Sequence, residues 1–313
     1  MGGRGSIIIL LICSFVVQLF YFCILGLEAE FEDLMGDALT KKSSKLYERY
    51  FNDYLKFCEE MSLPVGGTQS ATSVELWVAS LAKKGLGYGT VQSHLTAVRH
   101  MFRRNGIDIT WESERLAVAL KGLKKRKQPS AGKVAVSLSQ IMVLHQSAEV
   151  SLPSYTCQMF KVIISLAFFG FLRPSEFCKT EEDHYLRRGD VKISESKKCC
   201  HIRLRSFKHS EKPAIIRISN SWSKSLCFVE ALHDYMERHA QKLDTDPLFD
   251  ITVSAFRSML NKVCNASGIK VKITPHCFRH GGATWASKKG WSVARIKAHG
   301  RWKSQAYNTY ISA

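Results

Sequence analysis

Helical periodicity runs through most of this chain and is interrupted once by a basic segment rich in helix-breaking residues. Up to residue 123, the spacing of apolar residues predicts four helices, over 43–61, 73–85, 90–105 and 112–123. The interrupting segment, KKRKQPSAGK at 124–133, combines a run of charges with Pro and Gly and is typical of an interdomain linker. The pattern therefore predicts two mainly helical domains joined by a basic connection.

The part after this segment mixes helices with a short alternating region. Its apolar spacing predicts helices over 139–147, 156–169, 174–180, 224–241, 253–266, 277–289, 292–298 and 304–311. Between them, 198–207 and 212–219 alternate in the manner of two strands and predict a hairpin whose turn carries Lys208. The predicted fold class is mainly α with a small antiparallel β-sheet (α+β). The predicted divisions are an apolar segment with an acidic lead-in at 1–38, a helical domain at 39–123, the linker at 124–134 and a second domain at 135–313.

The net charge favours a polyanionic partner. Lys and Arg total 45 against 27 Asp and Glu, which gives a net charge of +18. Nucleic acid is the commonest partner of such a chain, although charge alone does not separate DNA from RNA or from an acidic membrane. We expect one face of the third helix and the linker to bind phosphates; the alternatives are a solvated surface and, for the linker, a nuclear localisation signal. These residues are His94, Arg99, Arg103, Arg104, Lys124, Lys125, Arg126 and Lys127.

Two further features concern the cellular compartment. The ten cysteines are scattered without a C-x-x-C pair, which is typical of reduced thiols in an intracellular protein. Residues 7–27, in contrast, carry no charge and are long enough to span a bilayer as a helix. This stretch is either a genuine anchor or signal peptide, or the product of a wrongly assigned start or exon. The second explanation agrees better with a nucleic-acid partner.

Charged side chains follow an apolar helix at a tight junction in the second part. In FFGFLRPSEF, 168–177, the helix stops at Gly170, and Pro174 starts a new helix with Glu176 in its first turn. Arg173 lies between them and is expected to be partly buried, paired either with Glu176 or with a ligand phosphate. Lys208, in the hairpin turn, is on its own most simply a solvated side chain.

The segment HCFRHGGATW, 276–285, holds a second charged group. His276 and Arg279 are three residues apart and share a helical face, where the start of the helix adds positive potential for a phosphate. The spacing of His276 and His280 also suits zinc, but no third ligand of suitable spacing lies nearby, so we predict no metal and no cofactor. Near the C-terminus, Tyr307 and Tyr310 lie three apart on a short helix, and core packing is the ordinary role of either.

In this order, Arg173, Lys208, His276-x-x-Arg279, Gly-Arg-Trp at 300–302 and Tyr310 resemble the catalytic set of the tyrosine recombinase (phage integrase) family. The resemblance covers about residues 40–313. The segment HCFRHGGATWASKKGWSVARIKAHGRWKSQAYNTYI is most similar to the versions carried by eukaryotic mobile elements of the Crypton and DIRS types. The resemblance implies a four-helix core-binding (SAM-like) domain followed by a tyrosine recombinase catalytic domain.

The resemblance also implies a mechanism. Tyr310 would attack a DNA phosphodiester and form a 3′-phosphotyrosyl link, which needs neither ATP nor a metal. Arg173 and Arg279 would hold the non-bridging oxygens, and His276 would assist proton transfer. Lys208 would protonate the leaving 5′ oxygen. The supporting residues would be Glu176, His280 and His299.

Two positions depart from the family pattern. The family places a His or Trp about nine residues before the nucleophile, and here the ninth residue back is Arg301. The resemblance implies a further hydrogen-bond donor at this position. Trp302, through its indole N–H, is the preferred candidate, and His299 and Arg301 are the alternatives. Only three residues follow Tyr310, whereas many members carry a C-terminal helix that docks on a neighbouring subunit. Tyr307 is an alternative nucleophile, but it fits the family spacing poorly.

The expected activity is DNA strand cleavage and rejoining, for integration or site-specific recombination of a mobile element. The expected partners are double-stranded DNA and further copies of the chain, as a tetramer on two duplexes. The expected location is the nucleus if the source is eukaryotic, and a membrane enters only if residues 7–27 are a genuine anchor. The alternative function is that of a catalytically inactive, domesticated DNA-binding protein. A type IB topoisomerase uses similar chemistry but has a larger domain layout than this chain allows.

Overall fold

The computed structural model describes residues 26–67, 70–107, 113–126, 134–181, 184–207, 210, 212–222 and 226–311. Lys127, Lys208 and positions 7–25 of the apolar N-terminal stretch lie outside these residues. Within them, no helix combines the length and the apolar character needed to cross a bilayer. The chain divides into two compact units, Met1–Ser130 and Ala131–Ala313.

Four helices of the first unit pack their apolar faces together. They are α1 (Lys41–Glu60), α2 (Ser70–Lys83), α3 (Tyr88–Arg104) and α4 (Glu114–Lys125), preceded by a helical segment over 26–37. The side chains of Thr40 and Ser113 accept hydrogen bonds at the starts of α1 and α4, which fixes those two ends. Tyr54, Trp77 and Phe102 occupy the centre, where the ring of Tyr54 meets the other two edge-on.

The prediction that His94 lies on an exposed basic face is wrong. Its side chain is 6% exposed, its ring stacks on Tyr50 with centroids 3.6 Å apart, and its Nδ1 lies 2.9 Å from the Thr90 carbonyl oxygen. His94 follows Val91 by three residues, so both side chains share the buried side of α3. The other predicted cations of α3 and α4 are exposed or half-buried: Arg99, Arg103, Arg104, Lys124, Lys125 and Arg126.

The second unit is mainly helical and is built around one central helix. Its helices are α5 (Leu138–Ser151), α6 (Ser154–Phe169), α7 (Pro174–Phe177), α8 (Phe228–Glu237), α9 (Val253–Ser267), α10 (Pro275–Lys288) and α11 (Val293–Gly300), with a 3₁₀ helix over Gln305–Tyr310. The central helix α6 is apolar on nearly all sides and packs against α5, α8 and α10. An apolar helix that is covered on every side belongs to a core.

Several predicted helices differ from the observed ones in their bounds: the helix expected over 224–241 is Phe228–Glu237, and the one expected over 139–147 is Leu138–Ser151. Two short predicted helices need a separate explanation. The helix expected over 174–180 ends at Phe177, because Cys178 is extended and the backbone N–H of Lys179 donates to the Ile251 carbonyl oxygen at 2.8 Å. The segment expected as a helix over 304–311 is a 3₁₀ helix over Gln305–Tyr310. Both are short elements, in which packing of the flanking backbone outweighs local apolar spacing.

Three antiparallel strands form one small sheet in the order β1-β2-β3. They are β1 (Val191–Ile193), β2 (Cys199–Leu204) and β3 (Ala214–Ser219). The predicted hairpin of β2 and β3 is confirmed, with Ile202 opposite Ile216 on the buried face. Strand β1 was not predicted, because three residues are too few to show alternation. The predicted fold class, mainly α with a small antiparallel sheet, is confirmed.

Gly281 and Gly282 let α10 approach neighbouring backbone closely. A Cβ at Gly282 would lie 2.0 Å from the Phe168 carbonyl oxygen, and a Cβ at Gly281 would lie 2.0 Å from that of Val136. These distances leave no room for a side chain. The close approach fixes the rotation of α10 and therefore the direction in which its charged residues point.

We expect Gly282→Ala to destabilise the second unit by about 3 kcal/mol, because a clash with backbone cannot be relieved by a rotamer change. Denaturant unfolding followed by tryptophan fluorescence measures this effect. Gly122→Ala on α4 is the control, because a Cβ there meets nothing within 4 Å. The control is expected to stabilise the first unit by about 0.5 kcal/mol. An unchanged second-unit transition in Gly282→Ala would contradict the observed packing.

Candidate active site

Arg173 forms an ion pair with Glu176 at the start of α7. Its backbone N–H donates to Glu176 Oε2 at 2.8 Å, and its Nη1 donates to Oε1 at 2.9 Å. The Arg173 side chain is 18% exposed, whereas that of Glu176 is 2% exposed. The sequence left two partners open for Arg173, Glu176 and a ligand phosphate, and the structure shows the pair with Glu176. The Arg173 side chain also keeps some solvent-accessible surface.

Three guanidinium groups surround the buried Glu176 carboxylate. Burial alone would raise the pKa of Glu176, but Arg301, Arg279 and Arg173, in decreasing order of effect, hold it below its usual value. The carboxylate is therefore ionised at neutral pH. One negative charge faces three positive charges, so this part of the site carries excess positive charge.

Arg279 lies fully buried beneath two aromatic rings. Its Nη1 donates to the Phe171 carbonyl oxygen and its Nη2 to that of Gly300. Its guanidinium carbon lies 4.3 Å from the centre of the Trp302 ring and 5.5 Å from that of Tyr310. Its Nε has no hydrogen-bond acceptor within the described part of the chain. One donor of the fork therefore remains available in a dry environment.

Arg279 remains charged despite this burial. Burial, followed by repulsion from Arg301 and Arg173, lowers the pKa of Arg279 to about 9. That value still leaves the guanidinium protonated at neutral pH. A buried cation of this kind is costly unless an anion accompanies it.

Arg301 is a site residue that sequence reasoning named only as an alternative to Trp302. Its side chain is 3% exposed, and its Nη2 donates to Glu176 Oε2 at 2.7 Å. The sequence signal was its position nine residues before Tyr310, which is the spacing at which the family resemblance implies a His or Trp. Arg301 is not a simple substitute for either, because both of its Nη atoms donate to Glu176 or to backbone carbonyl groups.

The hydroxyl group of Tyr310 meets His276. His276 Nε2 lies 3.0 Å from Tyr310 Oη, a distance at which the imidazole can accept the phenolic proton. His280 stacks on the Tyr310 ring with centroids 4.3 Å apart, and Thr284 Oγ1 donates to the Tyr310 carbonyl oxygen at 3.2 Å. Three consecutive turns of α10 thus hold this tyrosine. Thr284 is a contact that no sequence motif indicated.

The two tyrosines near the C-terminus differ in their surroundings. Tyr310 is held between His276, His280 and Trp302, with its ring 5.0 Å from that of Trp302. Tyr307 packs at the edge of the same apolar cluster, with Lys297 Nζ 5.8 Å from its ring centre. The described geometry therefore brings Tyr310, and not Tyr307, to the imidazole of His276.

Trp302 and His299 lie on different sides of the site. Trp302 is 8% exposed and packs between Arg279 and Tyr310. His299 points away from this group, because its Nε2 lies 2.7 Å from the Phe169 carbonyl oxygen and its ring packs against Phe171. Of these two alternatives for the further donor, Trp302 is the one next to Tyr310.

His299 should make the stability of the second unit sensitive to acid. Burial lowers its pKa from 6.5 to about 4, so the unfolded chain binds the proton more tightly. The stability contributed by the neutral ring is complete above pH 6.5 and is lost as the pH falls towards 4, by up to about 3 kcal/mol. His145, whose pKa burial lowers to about 4, contributes with the same sign. We expect His299→Gln to remove about half of the loss of unfolding free energy between pH 7 and pH 4.5.

The matched control for this prediction is His201→Gln, because the His201 side chain is exposed on β2. The control should leave the pH dependence of the unfolding free energy unchanged. A pH dependence in His299→Gln that equals the wild-type dependence would show that His299 titrates normally in the folded protein.

Lys208 lies outside the described residues, but Phe207 and Ser210 on either side of it are described. The backbone groups of Phe207 and Ser210, which flank positions 208 and 209, exchange two hydrogen bonds, of 2.9 and 2.8 Å. The guanidinium carbon of Arg301 lies 5.8 Å from the centre of the Phe207 ring. Phe207, which precedes Lys208 in the chain, therefore lies beside Arg301.

The residues that the motifs singled out converge on one end of the second unit. Arg173, Arg279 and Arg301 supply positive charge, and Tyr310 supplies a hydroxyl group beside an imidazole. Among the described residues no group of three His, Cys, Asp or Glu side chains is arranged to hold a metal ion. A nucleophile, a base and fixed cations form a site suited to the attack on an anionic ester.

The fold and this site define a tyrosine-type recombinase. The sequence profile of the phage integrase family matches residues 138–311, which is more than half of the chain, so the protein belongs to that family. A search of curated proteins gave no match.

Solved structures of recombinases share the fold at low sequence identity. A lambda integrase dimer bound to a COC′ core site is 14% identical, covers 91% of this chain and 75% of that one, and has a TM-score of 0.61. The Tn1549 transposon integrase in complex with circular intermediate DNA is 16% identical over 87% of this chain and 95% of that one, with a TM-score of 0.52. XerH site-specific recombinase bound to palindromic difH substrate is 14% identical over 77% and 67%, with a TM-score of 0.54.

Proposed function

We propose that this protein cleaves and rejoins DNA strands through a covalent link between Tyr310 and a 3′ phosphate. The observation that carries the proposal is the 3.0 Å contact of Tyr310 Oη with His276 Nε2 beside the buried guanidinium of Arg279. A tyrosine hydroxyl has an ordinary pKa near ~10, so it needs a proton acceptor and a stabilised transition state. The site offers both.

In the proposed reaction, the Tyr310 oxygen forms a bond to phosphorus and the bond to the 5′ oxygen breaks. His276 takes the phenolic proton, and Lys208 gives a proton to the leaving 5′ oxygen. Arg173 and Arg279 hold the non-bridging oxygens, and Trp302 supplies a further donor. Rejoining is the reverse reaction, so the energy of the phosphodiester bond is retained. Glu176, His280 and His299 act in support.

The buried state of Arg279 places a condition on this reaction. Its side chain is covered by the rings of Trp302 and Tyr310, and its residue exposure is 0%. A phosphate can reach this guanidinium only when the Tyr310 ring leaves its stacked position on His280. Tyr310 lies in a 3₁₀ helix of six residues, and the hydrogen-bond geometry of a 3₁₀ helix is poorer than that of an α-helix, which favours such a displacement.

We propose double-stranded DNA as the substrate and a tetramer on two duplexes as the active assembly. The related lambda integrase, Tn1549 integrase and XerH structures each contain DNA, and the lambda integrase is a dimer. The net charge of +18 and the surface cations of α3 and α4 support a DNA partner. The likeness of 276–311 to Crypton and DIRS elements supports an origin in a eukaryotic mobile element and a nuclear location.

The cations at the end of α4 should contribute to DNA affinity through counterion release. We expect replacement of Lys124, Lys125 and Arg126 by Gln to reduce the slope of log affinity against log salt concentration by about 3. Fluorescence anisotropy with a labelled duplex, at several KCl concentrations, measures this slope. The control replaces Lys41, Lys42 and Lys45, which are exposed at the start of α1, and changes the net charge equally. Equal slopes in the two variants would show that only total charge matters.

Covalent capture of DNA tests the proposed function. The full chain is incubated with genomic fragments that include the flanks of its own gene, and the mixture is denatured before DNA-bound protein is isolated. Adducts that survive denaturation support strand cleavage. Salt-sensitive binding without adducts, on fragments that contain the gene's flanks, would favour the inactive DNA-binding alternative.

A further inference from the structure

Two residues of the site adopt left-handed backbone conformations although neither is glycine. Phe171 has a φ of 48°, and Arg301 has a φ of 58° with a ψ of 38°. A positive φ costs free energy for an L side chain, and for a residue as bulky as Phe it is a genuine outlier. Such strain persists only where the surrounding structure enforces it, and it clusters at functional sites.

The strained turn at Phe171 directs one carbonyl group at two guanidinium groups. The Phe171 oxygen accepts from Nη1 of Arg279 and, at 3.2 Å, from Nη2 of Arg301. Arg301 Nη1 also donates to the carbonyl oxygen of His299, at 3.0 Å, and lies 3.4 Å from that of Gly170. A single guanidinium therefore joins the turn before α7 to the end of α11.

Arg301 also fixes the carboxylate that holds Arg173. Glu176 Oε2 accepts from Arg301 Nη2 at 2.7 Å and from the Arg173 backbone N–H at 2.8 Å, while Oε1 accepts from Arg173 Nη1 at 2.9 Å. Both ends of the carboxylate are thus used. A change at Arg301 would release Oε2 and allow Glu176 to rotate, and the guanidinium of Arg173 would move with it.

The surroundings of Arg301 differ from those of the two other arginines. Arg173 keeps 18% of its side-chain surface, and Arg279 is covered by Trp302 and Tyr310, which belong to the reacting group. The side chain of Arg301 is 3% exposed and lies behind Glu176 and the Phe171 carbonyl group. The Nη atoms of Arg301 therefore contact other residues of the site and do not face a bound substrate.

We propose that Arg301 is a positioning residue: through Glu176 and the Phe171 carbonyl group it sets the orientation of Arg173 and Arg279, the two guanidinium groups that grip the phosphate. This inference rests on the proposed function. Arg301 itself does not touch the phosphodiester. The left-handed backbone at Phe171 and Arg301 is retained because it directs a carbonyl group and a guanidinium into this shared network.

A specific pH effect follows from the charges that face Glu176. These groups are Arg301, Arg279 and Arg173, and Arg301 has the largest effect of the three in lowering the pKa of the carboxyl group. Removing the charge of Arg301 raises that pKa, and a protonated Glu176 no longer pairs with Arg173. The acidic limb of the cleavage rate should then move to higher pH.

The experiment compares Arg301→Gln and Arg301→Lys with the wild-type full chain. The substrate is the DNA fragment recovered from wild-type adducts, and the rate of adduct formation is measured from pH 5 to pH 9. We expect Arg301→Gln to lower the rate at least about 10-fold and to move the acidic limb of the pH profile to higher pH. In Arg301→Lys the acidic limb of the pH profile should return to its wild-type position, because an ammonium group keeps the positive charge. The rate of adduct formation should stay below that of the wild type, because lysine lacks the planar fork of arginine.

Arg295→Gln is the matched control, because Arg295 lies exposed on α11 against the Trp291 ring. Its rate and its pH profile should equal those of the wild type. All rates are corrected for the folded fraction, which is measured by thermal denaturation. A wild-type rate and profile in Arg301→Gln, or a loss explained by the unfolded fraction without a shift of the limb, would overturn the proposal.

A second measurement needs no DNA. The carboxyl carbon of Glu176 is titrated by ¹³C NMR in the wild type and in Arg301→Gln, and its signal is assigned by its absence in Glu176→Gln. The pKa should be higher in Arg301→Gln, and an unchanged pKa would overturn the proposal. If the wild type forms no adduct, the proposed function fails, whereas this titration still decides whether Arg301 controls Glu176.

Discussion

Tyr310→Phe should abolish covalent attachment to DNA. Without the hydroxyl oxygen no bond to phosphorus can form, and loss of a nucleophile lowers the rate by about 10⁴-fold or more. The folded protein should be little affected, because the described partner of the hydroxyl group is His276 and one hydrogen bond contributes about 1 kcal/mol. The ring remains stacked on His280, and the backbone bond with Thr284 does not involve the hydroxyl group. Adduct formation is measured by denaturing gel electrophoresis with labelled DNA.

Tyr307→Phe is the matched control for this variant. Tyr307 lies in the same 3₁₀ helix and packs against the same apolar cluster. The control should keep the adduct and the salt dependence of DNA binding. An adduct that persists in Tyr310→Phe and disappears in Tyr307→Phe would transfer the role of nucleophile to Tyr307.

Arg279→Lys should lower the rate of adduct formation by about 10²- to 10³-fold, as expected for the loss of one preorganised donor to a developing oxyanion. Lysine keeps the charge but not the planar fork that reaches two carbonyl groups and still presents Nε. The rate is measured under single-turnover conditions on the fragment recovered from wild-type adducts. DNA affinity should change little, because most of it comes from exposed cations.

Arg188→Lys is the control for the structural part of this effect. Arg188 Nη1 also donates to two backbone carbonyl groups, those of Met236 and His239, at 2.8 and 3.3 Å. Both substitutions should therefore lower the unfolding free energy of the second unit, and only Arg279→Lys should slow the reaction. Equal rates in the two variants would remove Arg279 from the phosphate grip.

Elements with strong local signals were predictable from the sequence. The apolar run of α6 identifies a core helix, and the alternation of β2 and β3 identifies two strands and their buried side. Arg173, His276, Arg279 and Tyr310 were predicted as site residues because their order along the chain resembles the catalytic set of the family. Their convergence depends on the fold, to which α10 contributes two of the four residues.

What the sequence did not reveal depends on contacts between distant segments. The helical spacing of His94 is compatible with either the buried or the exposed face of α3. Its side chain is buried because it packs against the rings of Tyr50 and Trp77. Arg301 is separated by more than a hundred residues from Glu176, and no local pattern indicates a partner at that distance. The left-handed conformation of Phe171 is equally invisible, because sequence rules assign such positions to glycine.

Mapping the attachment site on the protein shows which side chain forms the covalent link to DNA. Adducts of the full chain are digested with nuclease and with trypsin, and cleavage after Lys303 releases SQAYNTYISA, which contains both tyrosines. Fragmentation in a mass spectrometer then identifies the modified residue, and the DNA ends are tested for a free 5′ hydroxyl group. We expect a nucleotide linked through its 3′ phosphate to Tyr310. A nucleotide on Tyr307, a 5′-linked adduct, or no adduct on fragments that contain the gene's flanks would contradict it.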